Sequence, residues 1–161
     1  MNQNIGKNIA LGAAAGAAST ALIQGMMAGT KRWAPESLPP MKDDPGHFMV
    51  KKAERLLSRR ARRKVPDGAR TVAAAALAFG YGMTFGSLYA AFRPRDAKVL
   101  RDGAALGTAA WGAGFLGWLP ATKLTPPFWR QKPKQVVPNI LIHIIFGVAT
   151  VALFKQAKKR F

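Results

Sequence analysis

Residues 136–154 read VVPNILIHIIFGVATVALF and contain no Lys, Arg, Asp or Glu. A helix needs about 20 apolar residues to cross a bilayer core of about 30 Å. Three further stretches share this character, at about residues 8–29, 69–92 and 103–119, and Arg70 is the one charged residue in them. The sequence therefore predicts an all-α integral membrane protein, with four transmembrane helices in a single domain over residues 1–161.

The overall composition agrees with this prediction once the distribution of charge is considered. Mean hydropathy is only +0.01, but this value averages apolar stretches with loops that hold nearly all 25 Lys and Arg residues. A soluble bundle would show polar residues at helical spacing inside each stretch, and residues 73–83 contain almost none. The formal net charge of +18 flanks apolar segments, which favours anionic lipid head groups over nucleic acid as partners. The absence of cysteine excludes disulfides and thiol catalysis.

Pairs of glycines four residues apart recur in the apolar stretches. Faces of this small-xxx-small type let transmembrane helices approach closely. The residues that we expect to pack helices together are Gly12, Gly16, Gly25, Gly29, Gly82, Gly86, Gly103 and Gly107. The first stretch also has features of a signal peptide, with Lys7 before an apolar run, and we expect it to be retained as a transmembrane helix.

The long link between the first two stretches contains a basic, amphipathic segment at about residues 45–64. Asp44 suits the N-cap of a helix, and Pro45 suits its first position. The pattern predicts one helix lying in the membrane interface, with an apolar face formed by Met49, Ala53, Leu56 and Leu57. Residues that would dock on anionic lipid or an acidic partner are Lys51, Lys52, Arg55, Arg59, Arg60, Arg62 and Arg63. The alternative is a solvated charge run that only fixes topology.

The links also predict an orientation. Sixteen of the 25 Lys and Arg residues lie on the side of the two long links, which by the positive-inside rule favours cytoplasmic links and both termini outside. In the second long link, Phe128 and Trp129 are expected to anchor the chain at the head groups. Pro138 is expected to open the fourth helix.

Several motifs together resemble a known family. These are LPP at residues 38–40, FGYGMTFGSLYA at 79–90, GTAAWGAGFLGWLPATKLTPP at 107–127 and IHIIFGVATVALF at 142–154. In this order they resemble the YagU-like family of small inner-membrane proteins, a domain of unknown function, over most of the chain. The resemblance implies residence in the bacterial inner membrane and four helices, and it implies no established activity. The chain departs from the family where relatives often carry a His before FGYG and a Glu or His after the paired prolines, since Ala78 and Phe128 stand there.

His143 is the one titratable residue well inside a predicted span. Such residues are functional hypotheses by default, because charge and polarity are costly in a bilayer. We therefore consider a proton or ligand site formed by His143 with Gln24, Tyr81 or Thr108. The alternative is a neutral imidazole in an interhelical hydrogen bond, which the absence of Asp and Glu from the four stretches favours.

The remaining chemistry of the sequence is sparse. His47 and His143 lie on different elements and there is no thiol, so we predict no metal site and no cofactor. No Ser–His–acid arrangement or phosphate-binding loop is visible. Whether quinone, pigment or lipid lies beside the glycine-rich helices stays open.

These observations predict a non-enzymatic protein. The leading hypothesis is a structural or accessory subunit that docks on a larger inner-membrane complex through partner subunits. A small oligomeric transporter or pore that uses His143 is the alternative. A third hypothesis is a membrane protein that binds anionic lipid. Nucleic acid is not an expected partner, because the aromatic residues that would stack on bases lie in the membrane parts.

Overall fold

The computed structural model describes residues 3–92 and 98–160, and these residues form helices and connecting loops with no strand among them. The helices are α1 (Gln3–Trp33), α2 (Pro45–Glu54), α3 (Arg59–Arg63), α4 (Asp67–Phe92), α5 (Val99–Gly112), α6 (Leu119–Ala121) and α7 (Pro133–Arg160). A π-helical turn (Ala113–Trp118) lies between α5 and α6, and single 3₁₀ turns cover Pro35–Ser37 and Phe128–Arg130. The all-α prediction is confirmed for this part of the chain.

Three helices, α1, α4 and α7, are long and apolar enough to cross a membrane. The third predicted span, residues 103–119, is not one regular helix. Helix α5 has 14 residues, which at a rise of 1.5 Å each cover about 21 Å, less than the bilayer core. The backbone then widens into the π-helical turn, where Gly117 leaves helical geometry at φ −99° and ψ −108°. Closely spaced glycines weaken an α-helix, and Pro120 removes a backbone donor, which together account for the interruption.

Helices α1 and α4 pack antiparallel through two glycines on each. A Cβ built on Gly12 would collide with the carbonyl oxygen of Gly86, and a Cβ on Gly16 would collide with that of Gly82. Thr20 continues this contact, and its hydroxyl donates a hydrogen bond to the Gly16 carbonyl at 2.9 Å. Backbones therefore meet directly along this interface, as small-xxx-small faces allow.

Helices α5 and α7 form a second antiparallel pair with the same kind of contact. A Cβ on Gly107 would collide with the carbonyl oxygen of His143, and a Cβ on Gly103 would meet the backbone of Val148. Gly147 lies against both α5 glycines. The glycine-spacing pattern missed Gly147, because it has no glycine four residues away.

The two pairs contact each other, chiefly through α1 and α7. Phe154 of α7 is 1% exposed and packs with Ala15 of α1 and Ala90 of α4. Its ring meets that of Tyr89 edge-on, with centroids 5.8 Å apart. Nearer the middle, the Tyr81 hydroxyl donates to the Ala110 carbonyl at 2.7 Å and so joins α4 to α5.

Gly25 and Gly29 differ from the other predicted packing glycines. No other described atom lies within 4 Å of a Cβ built on either residue, apart from their own stretch of helix. At 3.6 residues per turn, thirteen residues rotate the helix so that Gly25 lies on the side of α1 opposite Gly12. The expectation that these two glycines pack helices together therefore does not hold within one copy of the chain.

The basic segment at residues 45–64 is two short helices rather than the single helix expected. Helix α2 begins as expected, with the Asp44 carboxylate accepting from the His47 backbone N–H at 2.9 Å and Pro45 at the first position. The helix does not continue past Glu54, because the Ser58 hydroxyl accepts from the Ala61 N–H at 3.3 Å and caps α3 separately.

This division changes the expected apolar face. Leu56 and Leu57 lie in the turn between the two helices and are 90% and 45% exposed. Helix α2 instead packs on α4, where a Cβ on Gly46 would approach the Ala74 carbonyl oxygen to 2.7 Å. The two leucines thus project from the turn, while the start of α2 is held against a long apolar helix.

Two boundaries also follow local chemistry. Helix α7 begins at Pro133 and not at Pro138, which lies inside it. Pro133 takes the first helical position, where a missing N–H has no partner to lose, and the Gln135 side chain accepts from the Lys132 N–H at 3.2 Å. At the start of α5, the Asp102 carboxylate accepts from the Lys98 N–H at 3.0 Å.

Candidate functional site

An aromatic cluster connects α5, the π-helical turn and α7. The Trp111 and Phe115 rings stack with centroids 6.2 Å apart. Phe128 meets Trp111 edge-on at 5.8 Å, and Phe115 meets the imidazole of His143 edge-on at 5.8 Å. Phe128 therefore packs on this cluster, whereas Trp129 is 70% exposed. The imidazole of His143 therefore packs between the ring of Phe115 and its own helix.

The His143 side chain bonds within α7. Its Nδ1 lies 2.8 Å from the Asn139 carbonyl oxygen. Because a carbonyl only accepts, Nδ1 carries the proton in this hydrogen bond. In the neutral form of the ring, Nε2 is then the acceptor nitrogen that faces the surroundings.

The other residues predicted for a polar site with His143 form hydrogen bonds elsewhere or are exposed. The Tyr81 hydroxyl donates to the Ala110 carbonyl, while Gln24 and Thr108 are exposed on their helices. No hydrogen bond joins any of these three to His143 within the described part of the chain. The structure thus does not assemble the expected polar site.

Two other polar groups lie in the α5–α7 interface, one helical turn from His143. The Trp111 Nε1 donor and the Asn139 Oδ1 acceptor are buried, and neither has a hydrogen-bond partner among the described residues. These side chains are only 8% and 5% exposed. Because Gly107 faces His143 across antiparallel helices, one turn further places Trp111 level with Asn139.

Each such unpaired polar group costs about 1–3 kcal/mol when buried. This level of the α5–α7 interface therefore offers one donor and one acceptor to a further polar group. Sequence reasoning missed both residues. Asn139 stands four residues before His143 in an apolar run, and that spacing was the available signal.

The basic residues expected to dock on lipid or a partner fall into different environments. The Lys51 ammonium lies 2.6 Å from an Asp43 carboxylate oxygen, and this hydrogen bond lowers the pKa of the Asp43 carboxyl below its ordinary value. Arg62 turns back and donates to the Glu54 carbonyl at 3.1 Å, which ties α3 to α2. Lys52 and Arg55 are exposed.

The remaining basic residues of this region border one shallow, open depression of the surface, which we call the basic cleft. The lining residues are Arg59, Arg60, Arg63 and Lys64. Lys64 was not among the predicted docking residues. It follows Arg60 by four positions, as Arg63 follows Arg59, and residues at this spacing are neighbours on a helical surface.

A buried ion pair fixes the position of this region on α4. The Arg70 Nε lies 2.7 Å from the Glu54 carboxylate, whose side chain is 10% exposed. Arg70 also contacts Asp67 at 2.7 Å. The one charged residue of the second predicted span is therefore paired twice, at the end of α4 where the first link enters.

The two histidines do not contribute to a common site. His47 contacts the Asp44 carboxylate on α2, and His143 bonds to Asn139 on α7. Within residues 3–92 and 98–160, no three His, Asp or Glu side chains come together as a ligand set for a metal ion.

No protein-family model, curated protein or solved structure matches this chain. The resemblance to the YagU-like family stays a prediction from the sequence motifs.

Proposed function

We propose that this protein is a non-enzymatic structural or accessory subunit of a larger complex in the bacterial inner membrane. The observation that carries the proposal is the free glycine face of α1. Six of the eight predicted packing glycines meet another helix within the chain, while Gly25 and Gly29 meet none among the described residues. Ala21 extends this exposed face at the same four-residue spacing. We name Ala21, Gly25 and Gly29 the open α1 face.

The occupant that suits the open α1 face is a transmembrane helix of a partner subunit. Lipid tails are as apolar as the side chains of such a helix, so burial of apolar surface gives little gain. Association then depends on close backbone approach, which Gly12 and Gly16 already provide on the other side of α1. A second helix on the open α1 face would repeat the contact that α4 makes inside the chain.

Four membrane passes form part of the proposal. The Lys42 backbone N–H, in the first link, donates to the Leu124 carbonyl at 3.0 Å, just after α6. The segment from Val99 to Ala121 therefore returns to the side of the first link, after α4 has left that side. Its α5 part runs along α7 through Gly103 and Gly107. This path supports a third pass made of α5, the π-helical turn and α6, with both termini on the side opposite the long links.

Purification from native membranes in mild detergent, with mass determination of every companion, tests the accessory role. We expect stoichiometric partner subunits with the wild-type chain. The double variant Gly25→Leu, Gly29→Leu should lose them, because leucines would hold the partner helix away. The matched control is Gly6→Leu with Gly80→Leu, since a Cβ built on either glycine also meets no described atom of another element within 4 Å. Companions retained by the open-face variant, or a wild-type chain recovered alone, would contradict the proposal.

The second candidate function is a small oligomeric transporter or pore. The observation that favours it is the unpaired donor of Trp111 and acceptor of Asn139 beside His143, at one level of the helix interface. Proteoliposomes containing the wild type should then carry a flux of protons or small solutes that His143→Ala alters. A homo-oligomer without companions in the purification would favour this candidate, and the absence of flux from both forms would exclude it.

A further inference from the structure

The basic cleft differs from the other charged surfaces of the first link because its charges are not internally neutralised. Lys51 has Asp43, Arg70 has Glu54 and Asp67, and Arg62 donates to backbone carbonyls. The four cleft residues are exposed, and no described acidic side chain forms an ion pair with them. Four positive charges thus border one open surface and have no acidic partner in the described part of the chain.

Apolar side chains project beside the basic cleft. Leu56 and Leu57 directly precede Ser58, the capping residue of the helix that carries the cleft, and Leu56 is 90% exposed. Basic side chains beside exposed leucines are typical of segments that lie at a membrane surface, with leucine among the acyl chains and the charges at head-group level.

The position of the cleft in the chain brings it to that surface. Only Val65 and Pro66 separate Lys64 from the start of α4, which is long and apolar enough to cross a membrane. The Glu54–Arg70 ion pair holds the preceding helix against the same end of α4. The cleft therefore lies where a membrane-crossing helix would emerge among lipid phosphates.

We propose that the basic cleft binds the phosphate of an anionic phospholipid head group, while Leu56 and Leu57 insert among the acyl chains. Arginine suits this ligand, because its planar guanidinium can donate two parallel hydrogen bonds to phosphate oxygens. The proposal rests on the cleft alone. It is independent of partner docking at the open α1 face, and either can fail without the other.

Lipid titration of the full-length protein in mild detergent tests the proposal, with native mass spectrometry to count bound lipids. The probes are phosphatidylglycerol, phosphatidylcholine and inorganic phosphate. We expect the wild type to retain phosphatidylglycerol in preference to phosphatidylcholine. Binding should weaken when salt rises from about 0.05 to about 0.5 M, because partly exposed charges are screened.

The cleft variant replaces Arg59, Arg60, Arg63 and Lys64 with Gln. Each basic side chain near an anionic surface contributes about fivefold to affinity. We therefore expect the variant to lose at least about tenfold in phosphatidylglycerol affinity. Because the four side chains are exposed, the fold should persist, and circular dichroism checks this.

The matched control removes the same number of positive charges from the second long link. It replaces Lys123, Arg130, Lys132 and Lys134 with Gln. We expect it to lose less than about threefold, since these residues do not border the basic cleft.

Three results would overturn the proposal. Equal losses in the cleft and control variants would show that overall charge, not the cleft, attracts lipid. Equal retention of both phospholipids by the wild type would show that an anionic head group is not required. This test uses the wild type alone and so does not depend on the folding of a variant. Inorganic phosphate that displaces phosphatidylglycerol completely at comparable concentration would identify a soluble phosphate as the ligand.

Discussion

The α1–α4 pair and the α5–α7 pair use the same glycine contact but differ beyond it. In the first pair, both helices run unbroken for 31 and 26 residues around Gly12, Gly16, Gly82 and Gly86. In the second pair, the glycine contact at Gly107 gives way within about two turns to an aromatic cluster, a histidine and a π-helical turn. Irregular helical turns of this kind occur frequently at functional sites. The α1–α4 pair is thus regular along its whole length, while the α5–α7 pair combines the glycine contact with an irregular turn and a histidine.

The largest effects should come from breaking the contact that the two pairs share. Gly12→Leu and Gly107→Leu should each lower the free energy of unfolding by about 3 kcal/mol or more, because a backbone carbonyl blocks the new side chain. Unfolding in mixed micelles measures this loss. Gly80→Leu is the control, since a Cβ there meets nothing within 4 Å. If all three variants were equally stable, direct backbone contact would not hold either pair together.

A smaller, stabilising effect should come from replacing a buried, unpaired polar side chain in each pair. Asn139→Leu removes a buried acceptor without a partner, and it should raise the free energy of unfolding by about 1 kcal/mol. Ser19→Ala in α1 should raise the free energy of unfolding in the same way, because the Ser19 hydroxyl is fully buried and has no hydrogen-bond partner among the described residues.

Only Asn139→Leu should also change flux or ligand binding, because only Asn139 lies beside His143. A destabilised Asn139→Leu protein would mean that the amide is satisfied in the membrane. Loss of function in Ser19→Ala would remove the distinction between the two pairs.

The hydrogen bond that joins the pairs should have a weaker effect. Tyr81→Phe removes the donor to the Ala110 carbonyl, and polar contacts between membrane helices contribute about 0.6 kcal/mol on average. The unfolding transition should therefore move only slightly, and a change above about 2 kcal/mol would show that this bond organises the interface. Thr84→Val is a suitable comparison, because the Thr84 hydroxyl bonds only within α4.

The smallest effect should come from a group outside both pairs. Lys51 lowers the pKa of Asp43 in the folded protein below its ordinary value of 3.8. The folded state therefore gains stability above pH 3.8 and loses it as the pH falls through the lowered pKa. Asp43→Asn should abolish this acid dependence, and NMR titration of the Asp43 carboxyl measures the pKa directly. The pair is exposed, so salt should weaken the effect. An unshifted titration would show that the pair does not form in solution.

The sequence predicted those features that depend on local pattern. Unbroken apolar length indicated α1, α4 and α7, and capping chemistry placed the start of α2 at Asp44 and Pro45. The sequence did not predict the end of α2 at Glu54. The helical spacing of the apolar residues indicated one continuous helix, although Ser58 is a residue that commonly caps a new one. The interruption of the third stretch was missed because its glycines were interpreted as packing positions, and glycine also weakens a helix.

The candidate sites required knowledge of how helices align. Gly25 and Gly29 have the same four-residue spacing as Gly12 and Gly16. The two motifs differ only in the side of α1 on which they lie, and only the side with Gly12 and Gly16 faces α4. Trp111 and Asn139 are 28 positions apart, and the register of α5 against α7 alone places them at one level. The basic cleft likewise depends on a turn that the apolar pattern concealed.

The burial of Phe154 has a consequence for biogenesis. Each glycine-packed pair consists of helices that are close in chain order, α1 with α4 and α5 with α7, so the first pair can form while the second is still being translated. Phe154 belongs to α7, which is synthesised after α1 and α4, yet it packs with Ala15 and Ala90 from the first pair. Its burial is therefore one of the contacts that join helices made early to a helix made later, together with the Tyr81 to Ala110 hydrogen bond. A chain cut short before this residue would leave Ala15 and Ala90 of the first pair without the phenylalanine that covers them, and cellular quality control could act on the surface left uncovered.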